Sequence, residues 1–94
     1  MDATSFENSL RSEGFQEIET KGLPAGTCNK EHEHPFDVRA LVLEGQISLT
    51  VAGEKQTYGK GDVFVMARGC RHSEETGPQG VRYVVGRRRS GAPG

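Results

Sequence analysis

The sequence predicts an all-β fold, a barrel or sandwich of short strands with one short helix at the N-terminus. Short apolar or alternating segments recur along the 94 residues, and 13 glycines help to separate them. Only the first residues have a helical pattern, whereas a parallel α/β sheet needs a helix between successive strands. Short, evenly spaced strands of this kind are typical of barrels and sandwiches.

The N-terminal residues predict a helix over residues 5–12 that packs against the barrel. Thr4 to Glu7 resemble a capping box, and Phe6 and Leu10 lie four residues apart, on one face of a helix. Gly14 follows at a position suited to ending the last turn. We therefore assign residues 1–14 to an N-terminal helical segment.

Strands are expected from residue 15 onward, in a barrel domain over residues 15–89. Alternating and apolar segments predict them at 15–20, 38–43, 46–52, 56–58, 63–66 and 81–85. Ala52-Gly53-Glu54 predicts a tight hairpin, and Gly77-Pro78-Gln79-Gly80 predicts another turn. Residues 90–94 have no large apolar side chain, and we expect a disordered tail there.

Charge and hydropathy argue against nucleic acid and membrane as partners. The net charge is -1, with both signs interspersed, and the basic run at 87–89 is interpreted as the solvated end of the last strand. No apolar stretch approaches the roughly 20 residues of a membrane span. The N-terminus lacks a basic region followed by an apolar one, so we expect a cytoplasmic protein. Because a chain of this length buries a modest core, a homodimer is also expected.

The histidines are the candidate functional residues. His32 and His34 are two residues apart, so on a strand they project from the same face and both imidazoles can reach one divalent metal. The chain has three histidines, and His72 is the third. A ligand from that distant segment would complete a facial set.

The two histidine segments together resemble the two-part signature of the cupins, small β-barrels that commonly hold a metal in the barrel mouth. The resemblance extends over roughly residues 22–86 and is carried by Gly26, His32, His34 and Gly45 in the first part and by Gly61, Gly69 and His72 in the second. It implies a double-stranded β-helix, or jelly-roll, barrel. It also implies that His32, His34 and His72 are the metal ligands.

Two positions depart from the cupin pattern. Val38 stands where the family usually has a metal-binding glutamate, and Ala67 stands where it usually has proline. Asp37 is adjacent, but an offset of one residue on a strand points it to the opposite face unless a bulge re-aims it. Three neutral imidazoles would leave the ion its full charge and several open positions. The expected cofactor is a divalent metal ion, and the sequence leaves Fe, Zn, Ni, Mn, Co and Cu open.

Cys28 and Cys70 each lie within a few residues of a histidine and fit a reducing compartment better than a disulfide framework. We interpret them as one small buried residue and one loop thiol. The alternative is a thiol near the metal, which would favour zinc. The sequence leaves both interpretations open.

Strand alternation predicts an apolar lining around the metal, formed by Phe36, Val38, Ala40 and Val42, with Phe64 and Met66 added from a second strand. Three residues are acid-base candidates by position alone; we interpret Tyr58 and Tyr83 as core aromatics and Glu74 as a solvated carboxylate. Arg39, Arg71 and Arg82 would orient a carboxylate-bearing ligand if they faced the cavity. Alternation points Arg39 away from it, and Arg82 cannot be assigned a face.

Two functions remain open at this point. The first is a metal-binding cupin that holds a small-molecule ligand in the barrel mouth, as a sensor, carrier or accessory component. The second is an enzyme, a metal-dependent dioxygenase of the iron type, acting on a small substrate that chelates the metal. The small size of the chain, the apolar lining and the lack of an identifiable acid-base pair favour the first.

Overall fold

The computed structural model describes residues 1–89, so the tail predicted at 90–94 lies outside the described residues. One helix precedes six strands. They are α1 (Ala3–Ser12), β1 (Gln16–Leu23), β2 (Cys28–His32), β3 (Phe36–Val51), β4 (Glu54–Gly59), β5 (Val63–Met66) and β6 (His72–Arg89).

Two long strands, β3 and β6, form the spine of the barrel. They pair antiparallel along most of their length, from Phe36 opposite Arg89 to Thr50 opposite Ser73. The short strands β1 and β2 pair with β6, and β4 and β5 pair with β3. Every pairing is antiparallel, which confirms the predicted all-β class.

The strands predicted at 38–43 and 46–52 are a single strand, and the turn predicted at 77–80 is wrong because that segment lies within β6. The register of β3 against β6 shifts on both sides of Gly45. Gly45 and Gly80 have φ angles of 76° and 74°, and a Cβ on Gly45 would overlap the Gly80 carbonyl. These glycines therefore allow the two long strands to come close together at a β-bulge, at a point where we expected a turn between separate strands.

The helix begins earlier than predicted. Asp2 is the N-cap residue, and its Oδ1 accepts a hydrogen bond of 2.7 Å from the Ser5 amide, so Thr4 lies inside the helix and the predicted capping box is wrong. The Asp2 carboxylate is as good an N-cap as a hydroxyl, so the helix begins two residues before the predicted start. Phe6 and Leu10 are fully buried, as expected.

The core has two layers, one on each face of the β3–β6 pair. On the outer face, helix α1 packs Phe6 and Leu10 against a cluster that includes Leu41 and Val84. The inner cluster contains the whole predicted lining: Phe36, Val38, Ala40, Val42, Phe64 and Met66. Strand alternation therefore turns the even-numbered residues of β3 into the barrel as far as Val42, as expected. Beyond the register shifts at Gly45, the odd-numbered Ile47 and Leu49 face inward.

The hairpin predicted at 52–54 is confirmed. Ala52 and Gly53 connect β3 to β4 with φ angles of 52° and 82°, and Val51 pairs with Glu54 across the turn. Two consecutive positive φ angles are typical of the type I′ turn, which matches the twist of the flanking strands. Within the described residues, no helix is long and apolar enough to span a membrane.

Candidate metal centre

The structure brings the three histidines together at one end of the barrel. His32 ends β2 and lies opposite His72 at the start of β6, while His34 lies in the connection to β3. One ring nitrogen from each residue belongs to a set of atoms that all lie within 4.8 Å of one another. The ring centroids are 4.4 Å to 5.3 Å apart.

The expectation that His32 and His34 share one strand is wrong. β2 ends at His32, and Pro35, which has no amide hydrogen for sheet pairing, follows His34. The His34 ring nevertheless reaches the cluster and stacks on the Phe36 ring, with the centroids 4.9 Å apart. The three imidazoles therefore meet because of the path of the chain between β2 and β3 as well as because of strand alternation.

Backbone carbonyls orient two of the imidazoles. The Nδ1 atom of His32 lies 2.6 Å from the Lys30 oxygen, and that of His72 lies 3.1 Å from the Cys70 oxygen. A carbonyl only accepts, so Nδ1 carries the hydrogen and Nε2 keeps its lone pair. Histidines that bind metals are oriented in this way.

The Nε2 atom of His72 is buried without a hydrogen-bond partner among the described residues, and the residue is only 1 % exposed. An unpaired buried polar atom is unfavourable. Burial lowers the pKa of His34, and the neighbouring rings of His32 and His72 lower it further. Neutral imidazole is the form that binds a cation, so the donor set fits a divalent metal.

A cavity of about 100 Å³ adjoins the cluster. Its lining includes His34 and the apolar side chains of Phe36, Val38, Phe64, Met66 and Val85. Val38 therefore faces the cavity at the position where the cupin pattern has its glutamate, and it offers no donor atom there. The remaining lining residues are polar or charged: Lys21, Glu74, Tyr83 and Arg87.

Asp37 does not replace the missing carboxylate. Its Oδ1 accepts from the Arg68 amide at 2.8 Å, and its Oδ2 accepts from the Arg88 guanidinium at 3.1 Å. These contacts lie on the face of β3 opposite Val38, as strand alternation predicts. Arg39 shares that outer face, where it pairs with Glu13 at 3.1 Å.

The other predicted candidates lie away from the cluster. Arg71 pairs with surface glutamates, and Arg82 pairs with Glu44, both in exposed positions. Cys28 is exposed and Cys70 is half-buried, and among the described residues neither sulfur belongs to the set of histidine atoms. Tyr58 packs against Phe64 at the edge of the core, as expected of a core aromatic.

Glu74 is not the solvated carboxylate we expected. Its side chain is 16 % exposed, and Oε1 lies 3.8 Å from Nε2 of His32. The same oxygen accepts a hydrogen bond of 2.9 Å from Asn29 Nδ2. The sequence did contain a signal for this position: Glu74 is two residues after His72, so on a strand both side chains project from the same face. Burial, aided by the nearby Glu74 carboxylate, also raises the pKa of Tyr83.

Sequence reasoning also missed Lys21 and Arg87. The Arg87 side chain is 19 % exposed and pairs with Glu19 at 2.8 Å, so the interpretation of its basic run as a solvated strand end is wrong at this position. That contact lowers the pKa of Glu19. Lys21 lies opposite Tyr83 in the β1–β6 pairing, a register that no local pattern reveals.

Comparison with known proteins agrees with this architecture. A structure from Rhizobium leguminosarum, of unknown function, is 22% identical with a TM-score of 0.71, covering 77% of this chain and 68% of that one. A cupin superfamily protein from Desulfitobacterium hafniense is 19% identical with a TM-score of 0.68, covering 78% and 66%. Oxalate decarboxylase from Bacillus subtilis, which has Mn(II) centres, is 20% identical with a TM-score of 0.68, covering 79% and 21%.

The chain thus spans about two thirds of the first two proteins and about a fifth of the third. At these identities the likeness shows the fold. No curated protein matches the chain. The family model of the cupin domain matches residues 21–85, which include all three histidines and most of the barrel. The chain therefore belongs to the cupin family.

Proposed function

We propose that this protein binds one divalent metal ion through His32, His34 and His72 and holds a small molecule in the adjoining cavity. The observation that carries the proposal is the buried, unpartnered Nε2 of His72 beside two further imidazoles. Without a partner, such an atom costs about 1–3 kcal/mol. A bound cation would remove that cost.

The bound ion would supply a Lewis acid with open coordination positions. The protein's own contribution is orientation and burial. The carbonyls of Lys30 and Cys70 hold two imidazoles with Nε2 free, and His72 is buried away from water. An apolar surrounding strengthens the interaction between a cation and a ligand that carries charge.

The cavity favours a small ligand with an anionic end. Its volume of about 100 Å³ is well below the roughly 300–1,000 Å³ of sites for drug-sized molecules. The charged side chains of the lining are two cations, Lys21 and Arg87, and one carboxylate, Glu74. Glu19 pairs with Arg87, whereas Lys21 has no ion-pair partner among residues 1–89. A carboxylate beside Lys21 with an apolar body against Phe36 and Val38 suits these walls.

Oxygen chemistry is the second candidate, favoured by the three-histidine cluster, which would leave coordination positions open for substrate and dioxygen. In a dioxygenase, a substrate would chelate the metal through two oxygens, or through an oxygen and a sulfur, while dioxygen used a remaining position. This function requires a redox-active metal, whereas a binding role does not. The identity of the metal and oxygen uptake therefore separate the two.

Titration of chelator-treated protein with Zn(II), Mn(II), Ni(II) and anaerobic Fe(II), followed by calorimetry, tests the proposal. We expect one site per chain with at least one of these ions, and no site in His72→Ala. His72→Ala must remain folded by circular dichroism for this comparison. Wild-type protein that binds none of the four, or a variant that binds as the wild type does, would contradict the proposed function.

A further inference from the structure

Glu74 is a largely buried carboxylate with no cationic partner in the described part of the chain. Its contacts are the amide of Asn29, at 2.9 Å, and the imidazole of His32, at 3.8 Å. The next residue, Glu75, is the opposite case, since it lies in a half-exposed position and pairs with Lys55. A buried carboxylate without a directly paired cation is unfavourable. Lys21 and Arg87 line the same cavity, but among the described residues neither forms an ion pair with Glu74.

The distance between Glu74 and His32 matches that of two ligands on one ion. Donor atoms that each lie about 2.1 Å from a divalent metal are separated by about 3–4 Å. Oε1 of Glu74 lies 3.8 Å from Nε2 of His32, which is the nitrogen that the Lys30 carbonyl leaves free. Asn29 fixes the carboxylate in this position from the neighbouring strand β2.

Neither Val38 nor its neighbour Asp37 offers a carboxylate for this role, and Glu31 and Glu33 pair with Arg71 in exposed positions. Val38 faces the cavity without a donor atom, and Asp37 is committed to Arg68 and Arg88 on the outer face. Glu74 lines the same cavity as Val38 but approaches from β6, where it follows His72 on the same face. The two strands thus turn the histidines and a carboxylate toward one space. Glu74 lies outside the set of ligand atoms that are all within 4.8 Å of one another, so its carboxylate must move closer to the other two imidazoles to share their ion.

We propose that Glu74 is the fourth protein ligand of the metal centre, supplied from β6 in place of the carboxylate that Val38 lacks. This inference rests on the proposed metal site. A carboxylate ligand reduces the net charge of the bound ion by one and leaves it a weaker Lewis acid than three imidazoles alone would. It would also take one coordination position that a small-molecule ligand could otherwise use.

The test compares Glu74→Gln with Glu75→Gln in metal-loaded protein. The two variants remove the same charge from adjacent residues, one facing the cluster and one paired with Lys55. Zn(II) affinity is measured by competition with a chromophoric chelator, and the ligand set is followed by the visible spectrum of the Co(II) form. Glu74→Asp serves as a second variant, which keeps the charge but withdraws the oxygens by one methylene.

We expect Glu74→Gln to lose at least about tenfold in Zn(II) affinity and to change the Co(II) spectrum, because a ligand contributes no less than its supporting groups do. Glu74→Asp should fall between this variant and the wild type, and Glu75→Gln should stay within about twofold of the wild type. Adding Val38→Glu to Glu74→Gln should restore affinity, since it returns a carboxylate to the cavity from β3.

Failure of this inference is distinct from failure of the proposed function. Stoichiometric metal in the wild type, with Glu74→Gln indistinguishable from Glu75→Gln in both affinity and spectrum, would overturn the role of Glu74 and leave the three-histidine site standing. A wild-type protein that takes up no metal would overturn both. Thermal unfolding in chelator checks that each variant is folded before it is loaded.

Discussion

Replacing His72 with leucine separates metal binding by this side chain from any part it has in folding. The residue is 1 % exposed, and its Nε2 is buried without a partner. Removing that atom relieves a cost of about 1–3 kcal/mol, while losing the hydrogen bond from Nδ1 to the Cys70 carbonyl costs about 1 kcal/mol. Leucine has a similar volume, so no large cavity is left.

In chelator, we therefore expect the free energy of unfolding of His72→Leu to equal that of the wild type or to exceed it by up to about 2 kcal/mol. Urea denaturation followed by circular dichroism measures this difference. Adding the metal at about 100 times its Kd should stabilise the wild type by about 2.7 kcal/mol and the variant not at all.

Two results would refute this reasoning. A loss of more than about 2 kcal/mol in the metal-free variant would mean that His72 holds the barrel together by contacts other than metal binding. An equal gain of stability in both proteins on adding metal would mean that the ion binds elsewhere. Either result would leave the buried Nε2 without a functional explanation.

Three further predictions concern the fold. Gly45→Ala should lower the free energy of unfolding by at least about 3 kcal/mol, because the new Cβ would overlap the backbone of Gly80 and the residue has a positive φ. Gly53→Ala should lower it by only about 1 kcal/mol, because φ is positive there too but no atom lies within 4 Å of the new Cβ. Urea denaturation midpoints compare the two variants. The Arg68 amide and the Arg88 guanidinium lower the pKa of Asp37 from 3.8, so its stabilising effect is present above that pH and lost below it. Asp37→Asn should accordingly lower the free energy of unfolding by about 1 kcal/mol at pH 7, and this difference from the wild type should disappear as the pH falls below 3.8. A difference in stability that does not change with pH would contradict an ionic origin. Val65 on strand β5 is 62 % exposed, which makes this strand a candidate for pairing in the expected homodimer. If the dimer forms there, Val65→Lys should lower the mass measured by sedimentation equilibrium from that of two chains to that of one.

Local pattern was sufficient for much of the barrel's inner face. Alternation along β3 placed Val38 and Ala40 inside and Asp37 outside, because side-chain direction on a strand is fixed by position parity alone. The histidines are close together, as their spacing and the cupin resemblance predicted. Only the assignment of His34 to the same strand failed, since Pro35 follows it in the connection to β3.

What the sequence did not reveal depends on pairings between distant segments. Gly77 to Gly80 has the composition of a turn, but the close approach of Gly45 and Gly80 makes it a bulged stretch of β6. The burial of Glu74 depends on Asn29, 45 residues away. The place of Lys21 at the cavity depends on its register against β6. No local pattern contains these pairings.

Elemental analysis of untagged protein, purified without chelator or added metal, tests the central claim most directly, with His32→Ala purified in parallel. We predict close to one divalent metal ion per chain in the wild type and almost none in the variant. Iron would direct the next experiments to oxygen uptake with chelating substrates, and zinc or nickel to ligand binding. Absence of metal from both proteins, or equal metal in both, would contradict a metal centre built on the three histidines.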